Sequence, residues 1–83
     1  MLTGFQIRAA RAGLNITARE LADRAGVSLP TIQRFESVDE VPPSRSSTLL
    51  DVQKALEAAG IEFLAGNGVR LREPKATKSG ESN

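Results

Sequence analysis

Arginine is the residue type in this sequence with the most evident capacity for chemistry, because a guanidinium ion binds carboxylate and phosphate groups through paired hydrogen bonds. The first 34 residues contain Arg8, Arg11, Arg19, Arg24 and Arg34. Cysteine and histidine are absent, which excludes disulfides, thiolate nucleophiles, imidazole bases and the usual ligands of zinc, haem and iron–sulfur clusters. The residues favour a binding protein over an enzyme, and they predict no catalytic residue, no metal site and no cofactor.

The charge is distributed unevenly along the chain. The 83 residues sum to a formal net charge of +1, but residues 1–34 carry +3, residues 35–64 carry −4 and residues 65–83 carry +2. A basic part beside an acidic part is what an anion-binding face on a small soluble domain produces, and a solvated surface with scattered charge gives the same totals. Since no apolar run approaches the ~18–20 residues of a membrane span, we expect no membrane segment, and no signal peptide is visible.

Four helices are predicted from capping signals and from apolar residues that recur every three or four positions. They cover about residues 4–13, 17–26, 28–36 and 46–59. Capping boxes at Thr3 and Thr17 begin the first two. Ser28 caps the third, whose Pro30 lies in the first turn, where a missing N–H has no consequence. The predicted core residues are Ile7, Leu14, Leu21, Val27, Ile32, Phe35, Leu49 and Leu56.

The alternation of apolar and polar residues over 61–72 predicts a β-hairpin around Gly66-Asn67-Gly68. A three-residue loop of Gly-Asn-Gly gives one apolar face and an opposite-charge pair on the other. The partners predicted in this register are Phe63 with Leu71, Ala65 with Val69, and Glu62 with Arg72. The hairpin either packs on the helices through Phe63 or pairs by an open edge with a second copy.

The second and third helices, with the tight turn at Gly26, form a helix-turn-helix pattern between residues 17 and 36. In such a unit one short helix crosses the DNA backbone while the next is presented to the major groove. Helical bundles of other function use the same unit, so the pattern by itself leaves DNA binding open.

The residues of this pattern resemble those of the Cro/C1-type (phage-repressor, xenobiotic-response-element) helix-turn-helix family. The shared elements are Leu21-Ala22, the Gly26-Val27-Ser28 turn, Thr31-Ile32, the terminal Glu36 and the Thr48-Leu49 opening of the fourth helix. Over residues 4–60 the resemblance implies a mainly α fold, a lambda-repressor-like bundle of four to five helices, here followed by a C-terminal β-hairpin. It also implies a cytoplasmic transcriptional regulator, a repressor, that binds specific double-stranded DNA at the nucleoid, usually as a homodimer.

Six residues are expected on the DNA-facing side of the third helix: Ser28, Leu29, Pro30, Thr31, Gln33 and Arg34. Arg34 suits bidentate recognition of guanine, Gln33 suits adenine or a phosphate, and Leu29 suits a thymine methyl group. The candidates for phosphate contacts are Thr17, Arg19 and Arg45. For the arginines, plain solvated surface charge is the alternative interpretation.

Three further expectations follow from the resemblance. The family often pairs an arginine late in the first helix with the glutamate that ends the third, which implies a structural, partly buried ion pair between Arg11 and Glu36. Val38-Asp39 replaces the family's usual glycine after that glutamate, which predicts a longer or differently routed loop. Residues 1–60 are the expected DNA-binding domain, residues 61–73 a hairpin and possible dimerisation element, and residues 74–83 a disordered tail with nothing to bury.

An antitoxin or protein-binding adaptor with the same fold is the main alternative, and its acidic second half would bind a toxin or another protein. Single-stranded RNA binding is less favoured, because the three phenylalanines are the only aromatic residues and the core takes at least two of them. A hydrolase is least favoured, because no carboxylate pair or activated nucleophile forms a recognisable motif.

Overall fold

Four helices and one hairpin make up the part of the chain that is described, residues 1–72 of a computed structural model; the tail predicted at 74–83 lies outside the described residues. In chain order the elements are α1 (Gly4–Leu14), α2 (Ala18–Ala25), α3 (Leu29–Glu36), α4 (Ser46–Ala58), β1 (Ile61–Leu64) and β2 (Gly68–Leu71). The mainly α fold class with a C-terminal hairpin is confirmed.

Side-chain oxygens cap the first helices at the predicted positions. Thr3 accepts a hydrogen bond from the backbone N–H of Gln6, whose side chain bonds back to the backbone of Thr3, so this capping box is complete. Thr17 likewise accepts from the N–H of Glu20 at 3.0 Å. The second predicted box is only half formed, because the carboxylate of Glu20 binds Arg24 one turn later instead.

The turn between α2 and α3 depends on a residue with a positive φ. Gly26 ends α2 at φ 72°, and its N–H bonds the carbonyl groups of the preceding turn. Glycine adopts this left-handed conformation without the steric penalty that a Cβ brings. Because the chain reverses within residues 26–28, α3 begins immediately beside the end of α2 and packs against it.

The core is continuous from the helices into the hairpin. Its fully or almost fully buried apolar residues are Leu2, Ile7, Ala10, Leu21, Ala22, Ile32, Phe35, Leu49, Val52, Leu56 and Ile61. Leu14 and Val27, which were predicted as core, are half-buried and pack against this cluster from outside. Because Ile61 belongs to the cluster, the first strand is an integral part of the core.

The hairpin register differs from the predicted one by two residues. The observed partners are Ile61 with Leu71, Glu62 with Arg70, Phe63 with Val69, and Leu64 with Gly68. The loop is residues 65–67, in which Gly66 and Asn67 have φ values of 72° and 68°. A slip of two residues leaves every side chain on its predicted face. Glu62 therefore still meets an arginine, but that arginine is Arg70 and the predicted partner Arg72 is wrong.

The buried side chain of Gln6 favours the observed register. Only 5% of Gln6 is exposed, and its Nε2 donates to the carbonyl oxygens of Leu64 at 3.1 Å and Gly68 at 3.0 Å. The hydroxyl of Thr3 donates to Oδ1 of Asn67 at 2.7 Å. A buried amide must have partners, and this register supplies them at the last strand pair. The hairpin is thereby attached to the first turn of α1, and it also packs on α4.

Candidate nucleic-acid interface

Helix α3 has one buried face and one exposed face. Ile32 and Phe35 are fully buried in the core, whereas Pro30, Gln33 and Arg34 are exposed. With about 3.6 residues per turn, Pro30 and Arg34 lie one above the other on the side opposite the core, and Gln33 lies beside them. The structure therefore presents these three predicted residues together on one surface.

The other predicted residues, at the start of α3, are partly buried or already hydrogen-bonded within the chain. The Oγ of Ser28 accepts from the N–H of Thr31 at 3.3 Å, and the two hydroxyl oxygens lie 2.8 Å apart. Both hydroxyls thus take part in the cap of the helix. Leu29 and Thr31 are half-buried, while Ser28 is exposed. The hydroxyl groups of this pair already make hydrogen bonds inside the chain, which leaves them fewer donors and acceptors for a ligand.

The three predicted phosphate contacts lie at the starts of two helices, α2 and α4. Thr17 is exposed at the N-cap of α2, where its hydroxyl is used by the cap. Arg19 is exposed in the first turn of the same helix. Arg45 is exposed at the N-cap position of α4, and its side chain makes no capping bond. No hydrogen bond within residues 1–72 joins these side chains to one another, so each is free to meet a separate group.

Ion pairing separates the arginines into two classes. The pairs are Arg8 with Asp39, Arg11 with Glu36, Arg24 with Glu20, and Arg70 with Glu62. In the described part of the chain, the side-chain cations without a carboxylate partner are Arg19, Arg34, Arg45, Lys54 and Arg72. The predicted anion-binding arginines therefore all belong to the unpaired class.

The ion pair of Arg11 and Glu36 joins α1 to the end of α3. Nε and Nη2 of Arg11 lie 2.8 and 2.9 Å from the two carboxylate oxygens, and Nη1 donates to the carbonyl oxygen of Ile16 at 3.1 Å. Their side chains are 27% and 11% exposed. The hydrogen bonds that Arg11 donates to the carboxylate of Glu36 raise the pKa of Arg11, although burial opposes this. The guanidinium stays charged at all physiological pH values and fixes three segments relative to one another.

Two residues that hold the end of α3 carry no local signal in the sequence. Arg8 bonds the chain just after this helix, and Gly4 lies so close to that segment that no side chain fits there. Both contacts join residues about 30 positions apart, so no local pattern of spacing or capping could have predicted them. The one signal was Val38-Asp39 at an unusual position of the loop.

Residues 1–72 contain no cluster of three or more residues of the types His, Cys, Asp or Glu in a position to hold a metal ion. Their helices also include none with the length and apolar character that crossing a membrane requires.

A family comparison is consistent with this geometry. Residues 7–62, more than half of the chain, match the model of a helix-turn-helix family. No curated protein matches the sequence. The matched segment includes the whole α2–turn–α3 unit, the Arg11–Glu36 pair and α4. The chain therefore belongs to the Cro/C1-type helix-turn-helix family of DNA-binding regulators.

Proposed function

We propose that this chain is a transcriptional repressor that binds specific double-stranded DNA as a homodimer, with α3 in the major groove. Its place of action is chromosomal DNA in the cytoplasm. The observation that carries the proposal is the exposed face of α3, where the side chains of Gln33 and Arg34 have no hydrogen-bond partner within residues 1–72. Unsatisfied donors on a protruding helix are what base recognition needs.

The exposed face offers two kinds of base contact. The guanidinium of Arg34 has the fork of donors that matches O6 and N7 of guanine, and the amide of Gln33 matches N6 and N7 of adenine. Pro30 and the accessible part of Leu29 offer apolar contact to a thymine methyl group. Ser28 and Thr31 lie on the same side, but their hydroxyl groups are engaged at the start of the helix. We therefore expect these two residues to pack against DNA and not to form hydrogen bonds with bases.

We assign the contacts with the DNA backbone to the starts of α2 and α4. The start of α2 carries the free N–H groups and partial positive charge that attract a phosphate, and Thr17 and Arg19 lie there. Arg45 stands at the start of α4, at the far end of the loop that follows α3. Phosphate contacts from these two helix starts would set the register of α3 on the duplex, and the base contacts would then give specificity. Repression needs no further surface, because a protein that occupies an operator excludes competitors.

A titration of duplex DNA at two or more salt concentrations tests this proposal. We expect log K to fall with log salt by about 0.9 for each phosphate neutralised, and the joint replacement Gln33→Ala and Arg34→Ala to remove most discrimination between the selected duplex and a random one. Lys54→Ala is the matched control, since it removes one unpaired positive charge from the exposed surface of α4. Affinity that does not respond to salt, or discrimination that survives the double replacement, contradicts the proposal.

The outer edge of β2, which pairs with no other strand within residues 1–72, supports the homodimer. The N–H of Arg72 donates to the carbonyl oxygen of Gly60 at 2.8 Å, which makes these two residues a hydrogen-bonded pair of the ladder. By the alternation of an antiparallel pair, Val69 and Leu71 direct their N–H and C=O groups away from β1. Leu71 is also 51% exposed. A second copy of β2 in antiparallel orientation pairs these groups and creates a two-fold axis.

We expect Leu71→Glu to convert a dimer into a monomer, because two such glutamates would lie close together across the shared edge. Sedimentation at several protein concentrations measures the change. Val41→Glu, at another exposed apolar residue outside the hairpin, is the control and is expected to stay dimeric. A wild-type protein that is monomeric at all concentrations, with or without DNA, contradicts this part of the proposal.

A further inference from the structure

Arg8 contacts the segment that follows α3 through both ends of its guanidinium. Its Nη1 donates to the carbonyl oxygens of Glu36 at 2.6 Å and Val38 at 3.2 Å. Its Nη2 forms an ion pair with the carboxylate of Asp39. The side chain of Arg8 is 37% exposed, so most of it lies against the protein. Neither the sequence pattern nor the family match gives this arginine a role.

The contact to Glu36 closes the end of α3. The last carbonyl groups of a helix have no partner within that helix, and they carry the negative end of its dipole. A cation that binds one of them stabilises the helix end. Glu36 is held twice, since Arg11 binds its carboxylate and Arg8 binds its carbonyl oxygen. Two arginines of α1, one turn apart, therefore fix the position of the last residue of α3.

The backbone of α1 holds the same segment. The N–H of Gly4 donates to the carbonyl oxygen of Glu40 at 2.9 Å. The N–H of Phe5 donates to the carbonyl oxygen of Asp39 over a longer distance, 3.5 Å. N–H groups at the start of a helix have no acceptor within that helix, and here the loop after α3 supplies the acceptors. The chain between α3 and Arg45 thus begins on a fixed path, defined by Arg8 on one side and the first turn of α1 on the other.

We propose that Arg8 is a positioning residue for DNA binding, acting through its grip on the carbonyl groups of Glu36 and Val38. The inference rests on the proposed function, because Arg34 and Arg45 are proposed DNA contacts. Arg8 fixes where Arg34 lies relative to Arg45. Arg34 lies in the last turn of α3, and Arg45 ends the loop that Arg8 holds. Without Arg8, Arg45 still reaches its phosphate because α4 carries it, but the end of α3 is released and the base contact of Arg34 weakens.

The test compares Arg8→Ala with Arg8→Lys and Asp39→Asn in DNA titrations over a range of salt, on protein shown by circular dichroism to be folded. We expect Arg8→Ala to weaken binding to the selected duplex about tenfold, the value of one good base contact, with an unchanged salt slope. Arg8→Lys should recover part of the loss, because an ammonium group also donates to carbonyl oxygens. Asp39→Asn should have little effect, because it leaves both carbonyl contacts in place.

Several results would overturn the inference. A salt slope that falls by about one in Arg8→Ala shows that Arg8 itself binds a phosphate. Equal losses in Asp39→Asn and Arg8→Ala show that the surface ion pair, and not the grip on the carbonyl groups, is responsible. Unchanged affinity in folded Arg8→Ala removes the role altogether. If Arg8→Ala does not stay folded, Arg8→Lys decides, since its affinity must lie measurably below wild type. Failure of the wild-type protein to bind any duplex refutes the proposed function instead.

Discussion

Gly4→Ala is expected to lower the free energy of unfolding by about 3 kcal/mol or more, at the upper end of what overpacking does in a folded protein. A Cβ on Gly4 would lie less than 3.0 Å from the carbonyl oxygens of Val38 and Phe35, and real Cβ atoms essentially never come that close to another heavy atom. Both oxygens belong to the backbone, so neither moves aside without displacing the end of α3 or the loop after it. Urea denaturation followed by circular dichroism measures the loss.

Gly13→Ala is the matched control, because it places the same substitution in the same helix. A Cβ at Gly13 meets nothing within 4 Å, and alanine is a better helix former than glycine by about 0.5–1 kcal/mol. We therefore expect the two variants to change stability in opposite directions. Equal stability of Gly4→Ala and the wild type would show that α1 and the loop after α3 are not in the close contact described.

Glu36→Ala is expected to lower the free energy of unfolding by about 2–4 kcal/mol, because it leaves the guanidinium of Arg11 partly buried without its carboxylate. The lower end of this range reflects the 27% of Arg11 that is exposed to solvent. The loss should be nearly independent of pH in the neutral range, since the pKa of Arg11 is raised in the folded chain and the group is protonated in both states. Urea denaturation at low and high salt provides the measurement.

Two comparisons separate this ion pair from an ordinary surface pair. Glu20→Ala removes the exposed partner of Arg24 and should change stability by less than about 1 kcal/mol. The double replacement Arg11→Met and Glu36→Leu should recover most of the loss seen in Glu36→Ala, because it removes both charges and keeps apolar volume. If Glu36→Ala costs no more than Glu20→Ala, the pair does not hold α3 on α1.

The helices and their starts could be predicted because their signals are local. Thr3 and Ser28 cap helices through neighbours three residues away, and Pro30 and Gly26 act through their own backbone geometry. The hairpin was predictable as an element for the same reason. The register of the hairpin was not predictable, because registers that differ by two residues place the same side chains on each face. The contacts of Gln6 that distinguish these registers join residues 58 and 62 positions apart in the sequence.

The candidate interface likewise has features that could be predicted from local sequence and features that could not. The exposed positions of Gln33 and Arg34 follow from helical periodicity around the buried Ile32 and Phe35, which the sequence shows directly. The engagement of the Ser28 hydroxyl with Thr31 follows from cap geometry, and it narrows the set of residues free to read bases. The resemblance implies the ion pair of Arg11 with Glu36, but the contacts of Arg8 and Gly4 could not be predicted, because backbone carbonyl groups that accept hydrogen bonds leave no trace in residue type.

Contacts on its buried side and at its end fix the position of α3, the helix that we propose to read DNA. The core packs one face of α3, Arg11 binds the carboxylate at its end, and the loop after it is fixed on the first turn of α1. Precise placement matters because each base contact depends on both distance and direction of its hydrogen bonds. Stability and DNA binding are thus expected to respond to some of the same residues, and the salt slope distinguishes supporting residues from those that touch DNA.

Selection of bound sequences from a random duplex pool, carried out in parallel with wild type and Arg34→Ala, decides whether α3 reads DNA. We expect the wild type to enrich a two-fold symmetric site with half-sites about 34 Å, one helical turn, apart. We expect Arg34→Ala to lose the guanine preference at one position of each half-site and to keep the others. Absence of enrichment by the wild-type protein, or an identical consensus for both proteins, would contradict the claim that α3 reads DNA.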